Sequence, residues 1–264
     1  MTKMKKTGKN TIRFTDEAND DFACNSIKTR PVGSDFKYVR NGILWRVGEF
    51  LIYRIVAIPV VFLIGKIIYG LRIRNRKAVK KLKGTGYYLY GNHTQNMMDA
   101  YTPSLCSFPK RAYIVTSPDA LSIKGLRSVV TMLGGIPVPD GIKGVRPFRS
   151  ALSTRIGQGR AVAVYPEGHI WPWYNKIRNF PDTSFDYPVS EHVPCIAFVT
   201  TFRERRFFKK LHPHLTVTLS DPFYPDPDLP RGEARRELRD RVYSFMTDVA
   251  SSPDNYEFIR YEKA

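Results

Sequence analysis

The chain has little cysteine and, over one long stretch, no acidic side chain at all. Among its 264 residues there are three cysteines, Cys24, Cys106 and Cys195. Odd in number and widely spaced, they exclude a disulfide framework and point to reduced thiols in an intracellular setting. None stands at metal-ligand spacing, so no metal is expected. No internal repeat and no low-complexity tract occurs. No apolar core follows the N-terminal lysines, which excludes a secretory signal. No acid lies between Glu49 and Asp99.

What is present is a strong excess of cations, a formal charge of +18. Such a chain should meet something anionic, whether nucleic acid, phospholipid head groups or phosphorylated substrates. The hydrophobic share of 42% and aromatic share of 13% exclude wholesale disorder. Residues 1–40 are polar and mixed in charge, and are read as a mostly disordered arm. Residues 41–84 change character. Ile43, Leu44, Val47, Phe50 and Leu51 fall at helical spacing, with Arg46, Glu49 and Tyr53 opposite, as in an amphipathic helix. The longest uncharged run of this segment, residues 55–65, spans about 16 Å as a helix, half of the ~30 Å hydrocarbon core. Pro59 is expected to bend or break it. A pair of short helices lying in a membrane interface fits this pattern. Lys66, Arg72, Arg74, Arg76, Lys77, Lys80, Lys81 and Lys83 follow without an acid. Anionic lipid attracts such a block at about 1 kcal/mol per cation. The block is equally a solvated basic face or a nucleic-acid patch by charge alone. It lacks interleaved stacking aromatics and adjoins an apolar anchor, so no nucleic acid is expected.

From residue 85 to residue 264 strand-like and helix-like stretches alternate. Strands are predicted at 87–90, 112–115, 136–138, 161–165, 195–200 and 215–219, and helices at 96–105, 119–132, 146–158 and 232–250. Alternation of this kind implies an α/β domain with a mixed, largely parallel sheet flanked by helices. Ligands of such sheets bind beyond the carboxyl ends of strands. Two strand ends carry polar clusters: YYLYGNHTQNMMDA, residues 87–100, and AVAVYPEGHIW, residues 161–171. His93 and Asp99 are six positions apart, so one continuous helix would face them different ways. They meet only if His93 lies in the loop before the helix. Asp99 can then fix the tautomer of an imidazole whose other nitrogen is a base. The alternative is a plain capping arrangement of Asn96 and Asp99 beside a buried histidine.

GNHTQNMMDA resembles the histidine–aspartate motif of the glycerophospholipid acyltransferases, typified by 1-acylglycerol-3-phosphate acyltransferases. VYPEGHIW resembles that family's Phe-Pro-Glu-Gly block. LGGIPVPD, residues 133–140, and HVPCIAFVT, residues 192–200, stand where its second and last blocks belong. The resemblance implies an α/β fold preceded by a two-helix membrane-docking element. It implies that His93 takes a proton from an acceptor hydroxyl that attacks an acyl thioester, with Asp99 orienting the ring. Asn92, Glu167 and Gly168 would line the acceptor site. The co-substrate would be acyl-CoA or an acyl carrier protein thioester, with no cofactor and no metal. The acceptor would be a lysophospholipid, first of all 1-acyl-sn-glycerol 3-phosphate, at the cytoplasmic face of the cell membrane, bound in a monotopic or peripheral way. Another lysolipid, glycerol 3-phosphate, or a non-catalytic lipid-binding role on the same fold are the alternatives. The pattern departs from the family in places. The histidine–aspartate spacing is one residue longer than usual. The family's phosphate-gripping cations are missing at Pro139 and Asp140, at Ile170, and near Thr116 and Ser117. Lys143, Arg146 and Arg149 are the candidate replacements. His169, Trp171 and Trp173 are candidates for lining a pocket or meeting a membrane interface.

Overall fold

Apolar runs too short for helices form the central layer of the molecule. In the computed structural model, which describes residues 11–22, 29, 31–122, 125–209 and 211–264, the strands are β1 (Thr11–Phe14), β2 (Arg72–Arg74), β3 (Tyr87–Gly91), β4 (Ala112–Thr116), β5 (Gly135–Pro137), β6 (Ala161–Val164), β7 (Cys195–Arg203), β8 (His214–Leu219) and β9 (Arg260–Lys263). Seven of them form one sheet in the order β2-β8-β7-β3-β6-β4-β5. Neighbours are parallel except β7 and β8, an antiparallel hairpin. The fold is thus mixed, mostly parallel α/β. Every residue of β3 and β6 is buried, as both faces of a parallel sheet require. Tyr87, Leu89, Ala161, Ala163, Ile196 and Phe198 point to one face, against Leu71, Val79, Met98 and Leu105. Tyr88, Tyr90, Val162, Val164 and Ala197 point to the other. There the helices Val145–Gly157 and Arg231–Ala250 cover them with Phe148, Leu152, Leu238, Val242 and Met246.

The central strand leaves no room at its carboxyl end. A Cβ on Gly91 would lie 2.1 Å from Cζ of Phe198. Gly91→Ala is therefore expected to lower stability by about 1–3 kcal/mol through overpacking, read from the midpoint of denaturant unfolding.

Two expectations are corrected. The first concerns the pair of short helices expected within residues 41–84, where the structure has one continuous helix, Ile43–Ile67, of 25 residues. Pro59 does not break it. Its middle turn, Leu51–Ala57, is π-helical, and the Ile58 N–H bonds to Tyr53 O, five residues back. Pro59 then falls in the first turn of Ile58–Ile67, where the register has just changed and a missing donor is tolerated. The helix is long and apolar enough to cross a membrane, yet it is packed against the domain. It packs with its polar side inward: Glu49 pairs with Arg111 at 2.9 Å, and the Tyr53 hydroxyl accepts the Ala112 N–H. Ile43, Leu44, Val47, Phe50 and Leu51 face outward.

The second concerns residues 1–40. The first ten of them, and Cys24, lie outside the described residues. The described part is packed rather than a free arm. β1 pairs in parallel with β9, and Ile12 and Phe22 are buried with Trp171 in a satellite core. Val32, Phe36 and Tyr38 join the main core. Five apolar side chains scattered among polar ones gave no periodicity, and their partners lie far along the chain. Cys106 and Cys195 are free and buried, and burial pushes both thiols up, Cys106 to about 12.

Candidate active site

β3 stops at Gly91 because Asn92 turns its side chain sideways onto the neighbouring strand. Asn92 Nδ2 donates to Thr200 O at 3.0 Å, and Thr200 N–H donates to Oδ1 at 2.8 Å. The pair replaces a ladder rung and fixes where the next loop begins. Both polar atoms of Asn92 are used in this way, so the side chain positions the loop and does not face an acceptor, contrary to the expected role.

His93 lies in that loop, and Asp99 lies in a 3₁₀ turn, Met98–Ala100. The loop folds back so that three donors converge on Oδ2 of Asp99: His93 Nδ1, Thr94 N and Gln95 N, each at 2.8 Å. The aspartate thus orients the ring and ties its own loop at once, whereas Asn96 does not cap the turn: the residue at its N-cap is Met97, with no side-chain cap. With Nδ1–H given to Asp99, Nε2 carries the lone pair. The side chain of His93 is 18% exposed and that of Asp99 1%. One edge of the ring therefore reaches solvent while the orienting carboxylate stays dry.

β6 contributes the wall. Its apolar run ends in a turn, Tyr165-Pro166-Glu167-Gly168, closed by Gly168 N–H donating to Tyr165 O at 3.2 Å. Gly168 has φ +79°, which favours glycine. Tyr165 stacks on His93, ring centroids 4.4 Å apart, and its hydroxyl donates to Asp99 O at 2.6 Å. Burial pushes the Tyr165 phenol far up, so it stays a neutral donor. Tyr165→Phe keeps the stack and loses one hydrogen bond. A several-fold fall in kcat with KM unchanged is expected, from about 0.5–1.5 kcal/mol, measured by steady-state kinetics.

Glu167 does not line a cavity. Its Oε2 accepts His93 N–H at 3.1 Å and Arg178 Nη2 at 3.0 Å, while Oε1 accepts Arg178 N–H at 3.1 Å. The side chains are 2% and 1% exposed. Burial pushes the Glu167 carboxyl up, against the pull of Arg178 and the two backbone donors. Arg178 also donates to His169 O and lies over the Trp171 ring, 4.9 Å from its centroid. The chain beyond Glu167 then pairs with the histidine loop, Trp171 N–H to His93 O at 3.1 Å and Trp173 N–H to Thr94 O at 2.9 Å. His93 is held on its backbone by Glu167 and Trp171 and on its ring by Asp99 and Tyr165.

Arg146 and Arg149 are not part of this arrangement. Arg146 is exposed, and Arg149 pairs with Asp186 at 2.7 Å and bonds Ser190. Their helix packs behind Tyr88 and Tyr90, on the sheet face opposite Phe198. Trp171 is wholly buried beside Phe14, Phe22 and Tyr261, which corrects the expectation that it lines a pocket. Among the described residues no group of three His, Cys, Asp or Glu side chains is arranged to hold a metal. Arg178 and Tyr165 were missed from sequence. Tyr165 adjoins a strand end and was open to inspection, whereas nothing in the spacing marks Arg178.

What the arrangement can do is remove a proton. An imidazole oriented by a buried carboxylate, with Nε2 free of described partners at a strand end, is built as a general base. No protein-family model matches the chain, and no curated protein matches it. Among solved structures, the chain is similar to the 1-acyl-sn-glycerophosphate (LPA) acyltransferase PlsC from Thermotoga maritima. The identity is 15%, the TM-score 0.56, and the match covers 79% of this chain and 88% of that one. The chain has the α/β fold of that acyltransferase.

Proposed function

We propose that the chain is a membrane-associated O-acyltransferase that moves a fatty acyl group from a thioester, acyl-CoA or acyl carrier protein, to a lysophospholipid hydroxyl. The observation that carries the reading is the His93–Asp99 pair, with Nε2 presented at the carboxyl end of the central strand. The shared fold of the LPA acyltransferase supports it and makes 1-acyl-sn-glycerol 3-phosphate the first acceptor to test, ahead of other lysolipids and glycerol 3-phosphate.

The acceptor O–H gives its proton to Nε2 as its oxygen attacks the thioester carbonyl. Asp99 stabilises the imidazolium so formed. The tetrahedral intermediate collapses, the C–S bond breaks, and the imidazolium returns the proton to the departing sulfur as free thiol. No acyl-enzyme, cofactor or metal enters. Glu167, Arg178 and Tyr165 are positioning residues, since each acts through His93 or Asp99.

The docking element in this reading is the helix Ile43–Ile67. The expected boundary at residue 85 falls too late, because β2 belongs to the sheet and Leu71, Val79 and Leu82 to the core of the catalytic domain. The helix Ile43–Ile67 rests on the domain through Tyr53, Val61 and Gly65 while its large apolar side chains face out. A helix held along the protein in that way lies in the membrane interface rather than across it. The excess of cations supports contact with an anionic leaflet, which the reading takes to be the cytoplasmic one.

The test is thiol release from acyl-CoA by the purified chain in detergent micelles, across lysophospholipids and glycerol 3-phosphate. Acceptor-dependent release is expected. Silence with every acceptor and with both donors, alongside intact vesicle binding, would favour a non-catalytic lipid-binding protein on this fold.

A further inference from the structure

The hairpin joining β7 to β8 ends in large apolar side chains that no described residue covers. Phe207 is 70% exposed, Phe208 78% and Leu211 53%. Folded proteins rarely group such side chains at a loop tip without use. Phe208 has φ +56°, a conformation a bulky residue adopts at a cost, and the tip is closed by Leu211 N–H donating to Phe208 O at 2.9 Å. The backbone is thus bent against its preference, and the two rings stand outward.

Positive charge surrounds these side chains. Arg205, Arg206 and Lys209 stand in the loop, with Glu204 the acid there, paired to Lys209 at 3.0 Å. The Arg206 guanidinium lies 5.6 Å from the Phe207 centroid. Arg203, opposite His214, lies at the hairpin's base, and Arg72 lies beside it on β2, opposite Thr216. The concentration of charge is felt by His214, held below its ordinary value by burial and then by Arg205, Arg203 and Arg72.

The base is locked to two other parts of the molecule. Arg205 Nη2 donates to Ile68 O, and Arg203 Nη2 to Gly70 O, so the hairpin is fastened to the end of the exposed apolar helix. Phe62, Leu63, Ile67 and Ile68 continue the apolar surface there. His212 lies against both Tyr69, at 4.5 Å, and Trp173, at 5.3 Å, and these two rings are themselves 6.5 Å apart. Trp173 in turn bonds Thr94, next to His93. β7 runs parallel to β3, Gly91 opposite Phe198. The hairpin therefore projects from the same end of the sheet as His93.

We infer that the tip of the β7–β8 hairpin is a second membrane contact, inserting Phe207, Phe208 and Leu211 into an anionic phospholipid surface and holding the His93 end of the sheet against it. The inference rests on the membrane reading proposed above. Aromatic side chains rimmed by cations suit the interface of an anionic bilayer, where rings sit at head-group depth and cations meet phosphate. A helix alone fixes one line of contact and leaves rotation about it free; a second point removes that rotation.

The test uses the full chain with Cys24→Ser and a single new cysteine, Phe208→Cys or Ser150→Cys, carrying a polarity-sensitive dye. Ser150 is exposed on the helix Val145–Gly157, which covers the other sheet face. With phosphatidylglycerol–phosphatidylcholine vesicles, the dye at 208 should shift to the blue and be quenched by brominated lipid, and the dye at 150 should not. Unlabelled Phe207→Ser/Phe208→Ser should bind those vesicles about tenfold or more weakly, from the loss of two buried rings, with an unchanged unfolding midpoint. Protein that binds vesicles while the 208 dye stays as wet as the 150 dye overturns the inference and leaves the membrane reading standing, and so does unchanged binding by the double serine variant. No vesicle binding by the wild type overturns both readings.

Discussion

His93→Ala is expected to lower kcat for acyl transfer by on the order of 10³-fold, the contribution of a positioned general base. Vesicle binding and the unfolding midpoint should stay near wild type. The second half of the expectation comes from Asp99. When the imidazole is removed, Oδ2 still accepts Thr94 N–H and Gln95 N–H, so no buried carboxylate is left without partners. The ring is also partly open to solvent, so its loss empties little of the core. Chemistry and stability are therefore separable at this residue. Acceptor-dependent thiol release within about threefold of wild type would remove His93 from the mechanism, since a general base supplies at least about 10²-fold.

Arg178→Met carries the largest expected cost in stability, about 3–5 kcal/mol, because it leaves a buried carboxylate alone. The methionine fills part of the volume, so the loss is chiefly electrostatic. Glu167→Gln/Arg178→Met should recover much of it, which a cavity effect would not. The effect depends on pH with a definite sign. Burial already pushes the Glu167 carboxyl up, and without Arg178 that push is less opposed. The folded variant then holds a proton that the unfolded chain releases at the ordinary glutamate value. Its stability is accordingly greatest in acid and falls as pH rises from that value through the raised one. Denaturant unfolding of the variant at a series of pH values reads this directly. A pH-independent deficit would mean that Arg178 acts by packing on Trp171 alone.

Much of the fold was open to the sequence where one signal dominated. Unbroken apolar runs bounded by glycine or polar residues marked β3, β4, β6, β7 and β8, and 3.6-residue periodicity marked the helix Arg231–Ala250. The elements that escaped have little apolar content of their own. β2 is Arg-Ile-Arg at a sheet edge, and β1 and β9 are held by each other and by Trp171. The π turn of the long helix is a matter of hydrogen-bond register, which composition does not encode. Two short helices were expected there because Pro59 breaks a regular α-helix, and the irregular turn before it removes the conflict. At the site, His93 and Asp99 were legible because a loop histidine and an aspartate in the following turn make local geometry. Arg178 was not. Its partner Glu167 lies eleven residues away across a turn of no fixed period, and burial alone makes the pair matter.

The pairing of β1 with β9 has a consequence for when the site becomes complete. The two strands are separated by nearly the whole chain, Thr11 facing Arg260, and between them they close over Trp171, whose backbone holds the His93 carbonyl. During synthesis the histidine loop and the turn that carries Glu167 emerge early, with their outer brace half built. Only when residues 260–263 have left the ribosome can that brace close. The same dependence makes trimming of either strand a means of loosening His93 without touching a residue of the site.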